Sequence, residues 1–170
     1  MFGKLDSMKL SQRTIIINDA EAAYDLSCPG DFGILVMVGT GVICMSRDGT
    51  GNIIREAGKG HDQGDMGSGY WIGKQAIWNL TLNETSVIGD HDLEEIMAIF
   101  LAHIDEEEFQ PAMETLNQNK EAVFIIAGLA KSIIMVAEKG NEIALSVVQE
   151  ATHAVAEYIL RLTDKLEYNE

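Results

Sequence analysis

AGKGHDQGDMGSGYWIG, residues 57–73, and MVGTGVI, residues 37–43, are the two stretches that decide how this chain is read. Glycine at this density removes side chains where something must approach the backbone, and it allows positive φ at tight turns. Exposed N–H groups in such turns form a concave site for anions, phosphate above all. Asp65, Ser68 and Trp71 sit inside the second stretch. A connection needed only to join two strands would rarely keep so many glycines beside them.

Outward from these turns, the chain changes character near residue 75. On the N-terminal side, Thr14, Ile15, Ile16 and Ile17 form a continuous β-branched run that predicts a strand buried on both faces. It ends at Asn18-Asp19, after which AEAAYDL reads as a short helix. Apolar runs at residues 33–38, 42–46 and 52–56 are joined by GTG and by RDGTG. Three strands with such short turns predict an antiparallel meander. On the C-terminal side the spacing predicts helices over 70–80, capped by Ser68, and over 93–102, behind the acidic Asp90-His91-Asp92. Further helices are predicted over 107–118, with Pro111 in the first turns, and over 120–139, stopping at Gly140. Asn141 caps a last helix whose Ile143, Val147, Ala151, Ala154, Tyr158, Leu162 and Leu166 recur at helical spacing. The expected fold class is α+β: a small antiparallel meander followed by a helical layer. It forms one domain, with residues 14–73 carrying the motifs and residues 74–170 mostly helical.

Composition narrows the function. A chain of 170 residues can bury a sizeable core, and 46% hydrophobic content reads as soluble and globular. A formal charge of −15 argues against nucleic acid and against anionic membranes, because both demand a basic surface. No apolar run approaches bilayer length, and MFGKLDSMKL has no signal-peptide core. Cys28 and Cys44 lack CxxC spacing and read as reduced, partly buried thiols of a cytosolic protein.

The series NDA (residues 18–20), GTG (39–41), AGKG (57–60) and GDMGSGYWIG (64–73) resembles the N-acetylglucosamine kinase and BadF/BadG/BcrA/BcrD ATPase family. That family belongs to the actin-like, Hsp70-like, sugar-kinase superfamily, whose lobes have a ribonuclease-H-like core. The resemblance runs from Thr14 onward. It implies the middle of a kinase of roughly twice this length, without the Asp-Gly-Gly-Gly-Thr phosphate hairpin or the adenosine segment. It also implies phosphoryl transfer from ATP, with Mg²⁺, to the 6-hydroxyl of an N-acetylated amino sugar. Two departures stand out: Lys59 occupies the usual aromatic position of AGWG, and the apolar Val42-Ile43 follows GTG.

From the family pattern, Asp19 is the candidate base that takes the proton of the attacking hydroxyl. By spacing alone it reads first as a helix N-cap. Gly39, Thr40 and Gly41 would be the second phosphate motif, with backbone amides and the Thr40 hydroxyl facing the β- and γ-phosphates; by themselves they read as a hairpin turn. Gly58, Lys59, Gly60 and Asp65 would contact the sugar, since a buried carboxylate paired with hydroxyls discriminates against analogues lacking one. Trp71 reads as a packing residue, His61 as a loop-stabilising one and His153 as a surface or boundary residue. Met97, Met113 and Met135 read as core fill. Asp90-His91-Asp92 and the acidic run after His103 lack zinc-site spacing and read as solvated helix starts, so no metal ligand is assigned. The implied partners are a small sugar and either a complementing lobe or a second copy, because an incomplete lobe exposes apolar surface. Two other readings stay open: an ATPase activator of the same family, and an inactive remnant acting as an interaction module.

Overall fold

The computed structural model describes residues 17–30, 33–60, 63, 65–83 and 87–166. The expected strand at residues 14–17 lies outside them except for Ile17, which is 43% exposed and in no regular element. The architecture is the α+β arrangement expected. Helix α1 (Asp19–Ser27) precedes strands β1 (Leu35–Val38), β2 (Val42–Arg47) and β3 (Ile53–Ala57). Five helices follow: α2 (Gly69–Leu82), α3 (His91–Ile104), α4 (Phe109–Gln118), α5 (Ala122–Glu138) and α6 (Glu142–Lys165). The strands form an antiparallel sheet in the order β1-β2-β3, with Val38 opposite Val42 and Arg47 opposite Ile53. No described helix is long and apolar enough to cross a membrane.

Helix α1 lies on the sheet through Ala20, Tyr24 and Cys28, which pack with Met45 of β2 and with Leu35, Met37 and Ile43. Tyr24 is wholly buried, so its hydroxyl must find polar partners. It donates to the Gly33 carbonyl (3.2 Å) and accepts from the Arg47 amide (3.3 Å). The Arg47 guanidinium lies over the Tyr24 ring, 5.4 Å from its centroid, and pairs with Asp25 at 2.6 Å. The second core lies in the helical layer, built around Ile72, Leu80, Ile96, Phe100, Leu129 and Ile133. Trp71 belongs to it, as a packing residue should. Met97 and Met113 pack against it from half-buried positions, but Met135 is 46% exposed and does not fill it. The helical period places Met135 toward a surface groove, one turn beyond Lys131.

Three of the caps read in the sequence have physical partners. The Ser68 hydroxyl accepts from the Trp71 amide (3.1 Å), and Asp90 Oδ1 accepts from the amides of Asp92 and Leu93. Asn141 Oδ1 accepts from the Ala144 amide (2.9 Å), and Pro111 is the third residue of α4, where it displaces no hydrogen bond. Helix α1 is capped by Asn18, whose Oδ1 accepts from the Glu21 amide (2.8 Å). Its Nδ2 donates to Glu21 Oε1 (2.7 Å), a second bond between the cap and the third helical residue.

The β2–β3 turn is organised by Asp48. Its Oδ1 accepts from the Thr50 amide, the Thr50 hydroxyl and the Asn52 amide, and its Oδ2 accepts from Asn52 Nδ2. The Thr50 hydroxyl first, and then the Asn52 amide, hold this exposed carboxyl at about 2, below its ordinary value. A carboxylate depressed in the fold stabilises it above the unfolded value, and that contribution is lost as pH falls toward the folded one. Acid unfolding followed by circular dichroism should therefore show a loss between about pH 4 and pH 2 that is absent in Asp48→Asn.

The closest backbone approach lies between α2 and α5, where a Cβ on Gly73 would penetrate the van der Waals shell of the Ile126 carbonyl. Gly73→Ala should cost about 2–3 kcal/mol or more in denaturant unfolding, by overpacking. Gly49→Ala, where a Cβ meets open space, should change stability by less than about 0.5 kcal/mol.

Candidate functional site

The two glycine-rich stretches meet at the junction of sheet and helices. The GTG turn between β1 and β2 is closed by the Gly39 amide donating to the Gly41 carbonyl (2.8 Å). Its outward carbonyls then meet the start of α2: the Gly69 amide donates to the Gly39 carbonyl (2.7 Å), and the Tyr70 amide to the Thr40 carbonyl (3.2 Å). With Trp71 capped by Ser68, the first amides of α2 are all satisfied within the protein. A helix N-terminus is ordinarily a ready anion site; this one is spent on fastening the turn. Gly69 is required there, because a Cβ would press against the Gly39 carbonyl at 3.0 Å. Gly67, at φ +86°, lies against the Ala151 carbonyl of α6 in the same way. GDMGSGYWIG is therefore chiefly a packing device, and its glycines admit protein backbone.

The GTG turn keeps its other face open. The amides of Thr40 and Gly41 have no hydrogen-bond partner among the described residues, and a Cβ on Gly39 would meet nothing within 4 Å. Of the three amides expected to face phosphate, Gly39's is engaged in the turn, which leaves two amides and the exposed Thr40 hydroxyl.

That face looks into a cleft of about 450 Å³. Met37, Val38, Val42 and Ile43 form its apolar floor, and Gly39, Thr40 and Gly41 form one edge. Gly58, Gly60 and Asp65 form another, and Asp19 at the start of α1 stands at the rim. The cleft thus gathers all the candidate residues except Lys59, which is exposed and does not line it. His61 lies outside the described residues.

Each acidic side chain is positioned by its neighbours. Because Asn18 does the capping, Asp19 is released from that role; among the described residues its Oδ1 accepts from the adjacent Ala20 amide alone (2.9 Å), and the side chain is exposed. Asp65 is 7% exposed, and its Oδ1 accepts from the Lys59 amide (3.0 Å), tying the AGKG turn to the start of the α2 motif. Its Oδ2 faces Gly41, where an added Cβ would lie 3.2 Å away. The AGKG turn is sharply bent: Ala57 at φ 61° and Gly58 at φ 72° are both left-handed. For alanine that conformation carries strain of about 1 kcal/mol, which the surrounding structure must hold in place.

A second groove, of about 440 Å³ and mostly apolar, lies on the other side of the GTG turn. It shares Val38 and Gly39 with the cleft and runs along Ala127, Ala130, Lys131 and Met135 of α5. The cysteines are free and buried; burial first, and Glu56 second, push the Cys44 thiol up. A thiol held protonated is a poor nucleophile and a poor metal ligand.

Sequence reasoning missed three contributors. Asn18 shapes the site as the cap, and the Asn18…Glu21 spacing was the available signal. Tyr24 anchors α1, and Arg55 pairs with Glu21 at 2.7 Å across 34 positions of chain, for which no local signal exists.

No protein-family model matches the chain. Over 65 residues it is 46% identical to an N-acetylmuramic acid/N-acetylglucosamine kinase of Clostridium acetobutylicum, a match covering 38% of this chain and 21% of that protein. A crystal structure from Chromobacterium violaceum, carrying the provisional name N-acetylglucosamine kinase, superposes with a TM-score of 0.72 at 20% identity. That superposition covers 94% of this chain and 56% of the other, so this chain spans little more than half the length of that relative. The resemblance to the N-acetylglucosamine kinase family is thus supported by both comparisons: over part of its length the chain is similar in sequence to an N-acetylmuramic acid/N-acetylglucosamine kinase, and it shares the fold of the Chromobacterium violaceum structure.

Proposed function

We propose that this chain is the central part of an ATP-dependent kinase that phosphorylates the 6-hydroxyl of an N-acetylated amino sugar. The observation that carries the reading is the convergence on one cleft of an exposed carboxylate (Asp19), two amides without a partner among the described residues (Thr40 and Gly41) and a buried carboxylate (Asp65). Both relatives are named for amino-sugar kinases. Residues elsewhere in a longer chain, or a complementing lobe, close the cleft from the opposite side, as the shorter span of the match suggests.

In this reading the β- and γ-phosphates of ATP lie against Thr40 and Gly41, whose amides and hydroxyl donate to them. The nucleoside continues over the GTG turn into the apolar groove along α5. Mg²⁺ carried on the nucleotide would neutralise phosphate charge, and no side chain of this chain is assigned to hold it. Asp65 Oδ2 accepts a hydrogen bond from a ring hydroxyl, and its Oδ1 keeps the Gly58–Gly60 turn in place. Asp19 accepts the proton of the 6-hydroxyl as that oxygen attacks the γ-phosphorus in line and the bond to the ADP oxygen breaks. Little covalent chemistry is asked of the protein, so position and charge carry the catalysis. The free thiols Cys28 and Cys44 suit a cytosolic setting, and the raised Cys44 thiol does not favour a cluster-bearing activator.

The test is transfer of labelled phosphate from ATP to N-acetylglucosamine and to N-acetylmuramic acid by the full-length protein. Asp19→Asn should lower kcat by about 10² to 10⁴ while leaving KM for the sugar nearly unchanged. An unaltered kcat removes Asp19 from the mechanism. Asp65→Asn keeps an acceptor for the Lys59 amide but loses the charge, and should raise KM for the sugar by about tenfold or more with ATP binding intact.

A further inference from the structure

Helix α1 is fastened to the sheet at two places. Its C-terminal half is held by Tyr24 in the core and by Arg47, which pairs with Asp25. Its first turn is held by a separate set of contacts. Glu21 Oε1 accepts both from Asn18 Nδ2 (2.7 Å) and from the Arg55 guanidinium (2.7 Å). Asn18 in turn caps the Glu21 amide, and Asp19 lies between the two. Arg55 belongs to β3, paired opposite Met45, two residues before the left-handed Ala57 that opens the Gly58–Gly60 turn. One guanidinium therefore ties the segment carrying Asp19 to the strand that delivers the other edge of the cleft.

The fold does not need this tie. Both Asn18–Glu21 bonds form without Arg55, and the α1 core of Ala20, Tyr24, Cys28 and Met45 does not include it. Both side chains of the pair are partly exposed, at 39% for Arg55 and 21% for Glu21, where an ion pair adds little to stability. What it supplies is geometry. A carboxylate on an exposed first turn frays with that turn, and proton transfer demands placement at hydrogen-bond distance.

We infer that Arg55, acting through Glu21 and Asn18, is a positioning residue that fixes Asp19 at the cleft rim relative to the Gly58–Gly60 turn. The inference rests on the reading of Asp19 as the base, and it predicts a loss of rate without a matching loss of binding or fold.

The experiment compares wild type, Arg55→Gln, Arg55→Lys and Glu21→Gln in the full-length protein, by NMR and by kinase assay. In Arg55→Gln, hydrogen exchange at the Glu21 amide should rise about tenfold and the Asp19 carboxyl carbon signal should shift or broaden, while the melting temperature and the Tyr24 signals stay as in wild type. In the kinase assay kcat should fall about ten- to a hundredfold, with KM for sugar and ATP within about twofold. Glu21→Gln should behave similarly, and Arg55→Lys should recover most of the rate. Wild-type exchange at Glu21 and an unmoved Asp19 signal in Arg55→Gln would overturn the inference, as would an unchanged kcat in an active enzyme. If the wild type transfers no phosphate, that result counts against the proposed kinase function, and the NMR comparison still decides the positioning role.

Discussion

The pairing of the GTG turn with the start of α2 is the constraint on which the rest of this structure depends. Two carbonyls of the turn, from Gly39 and Thr40, receive the amides of Gly69 and Tyr70. The start of a helix leaves donors without intrahelical partners, and a tight turn leaves acceptors pointing outward. Joining them satisfies both and fastens the β1–β2 turn to the helical layer, while α6 packs on β2 and β3 and its Lys165 pairs with Glu56. The same contact decides which face of the turn is left for chemistry. With the carbonyls of Gly39 and Thr40 turned toward α2, the Thr40 and Gly41 amides are the donors left at the turn, and the carboxylates of Asp19 and Asp65 supply acceptors in the same cleft.

The glycines divide accordingly into two populations. Gly67, Gly69 and Gly73 stand where a side chain would strike backbone carbonyls of Ala151, Gly39 and Ile126. They bring α2 close to α5 and α6 and so build the scaffold. Gly39 and Gly60 border open space, where a Cβ would meet nothing, and Gly41 faces the Asp65 carboxylate. These leave room at the cleft. Asp65 joins the two groups: it begins the packing motif in sequence, yet its carboxylate reaches the Lys59 amide and the GTG turn. Scaffold and cleft are thus one construction, and a change in the α2 packing would be felt at the turn.

Much of this was legible in the residues. Alternating and continuous apolar runs located β1, β2 and β3 to within a residue or two, and the short turns between them required an antiparallel meander. Ser68, Asp90 and Asn141 announced their helices because a side-chain oxygen one step before an apolar periodic run has one dominant use. The motif series also brought most of the candidate residues to one cleft. What stayed hidden was non-local or conformational. Nothing around Ala57 marks its left-handed backbone, since alanine is not a residue that seeks it. Glycine composition cannot say whether ligand or protein approaches it, so the role of GDMGSGYWIG became visible only with α5 and α6 in place. Met135 reads as core by character, but its helical phase turns it to the groove. The Arg55–Glu21 pair depends on the register of β3 against α1, which only the assembled sheet defines.

The central claim is that the open face of the GTG turn is a phosphate cradle. It is tested most directly by titrating the ¹⁵N-labelled protein with a Mg²⁺ complex of a non-hydrolysable ATP analogue and following backbone amide shifts. The account predicts the largest, saturable downfield movements at Thr40 and Gly41, with Gly69 and Tyr70 little changed because their amides are already bonded, and with Gly49 and Gly51 in the far turn unmoved. Saturable shifts that bypass Thr40 and Gly41, or their complete silence in a folded sample at millimolar nucleotide, would contradict it.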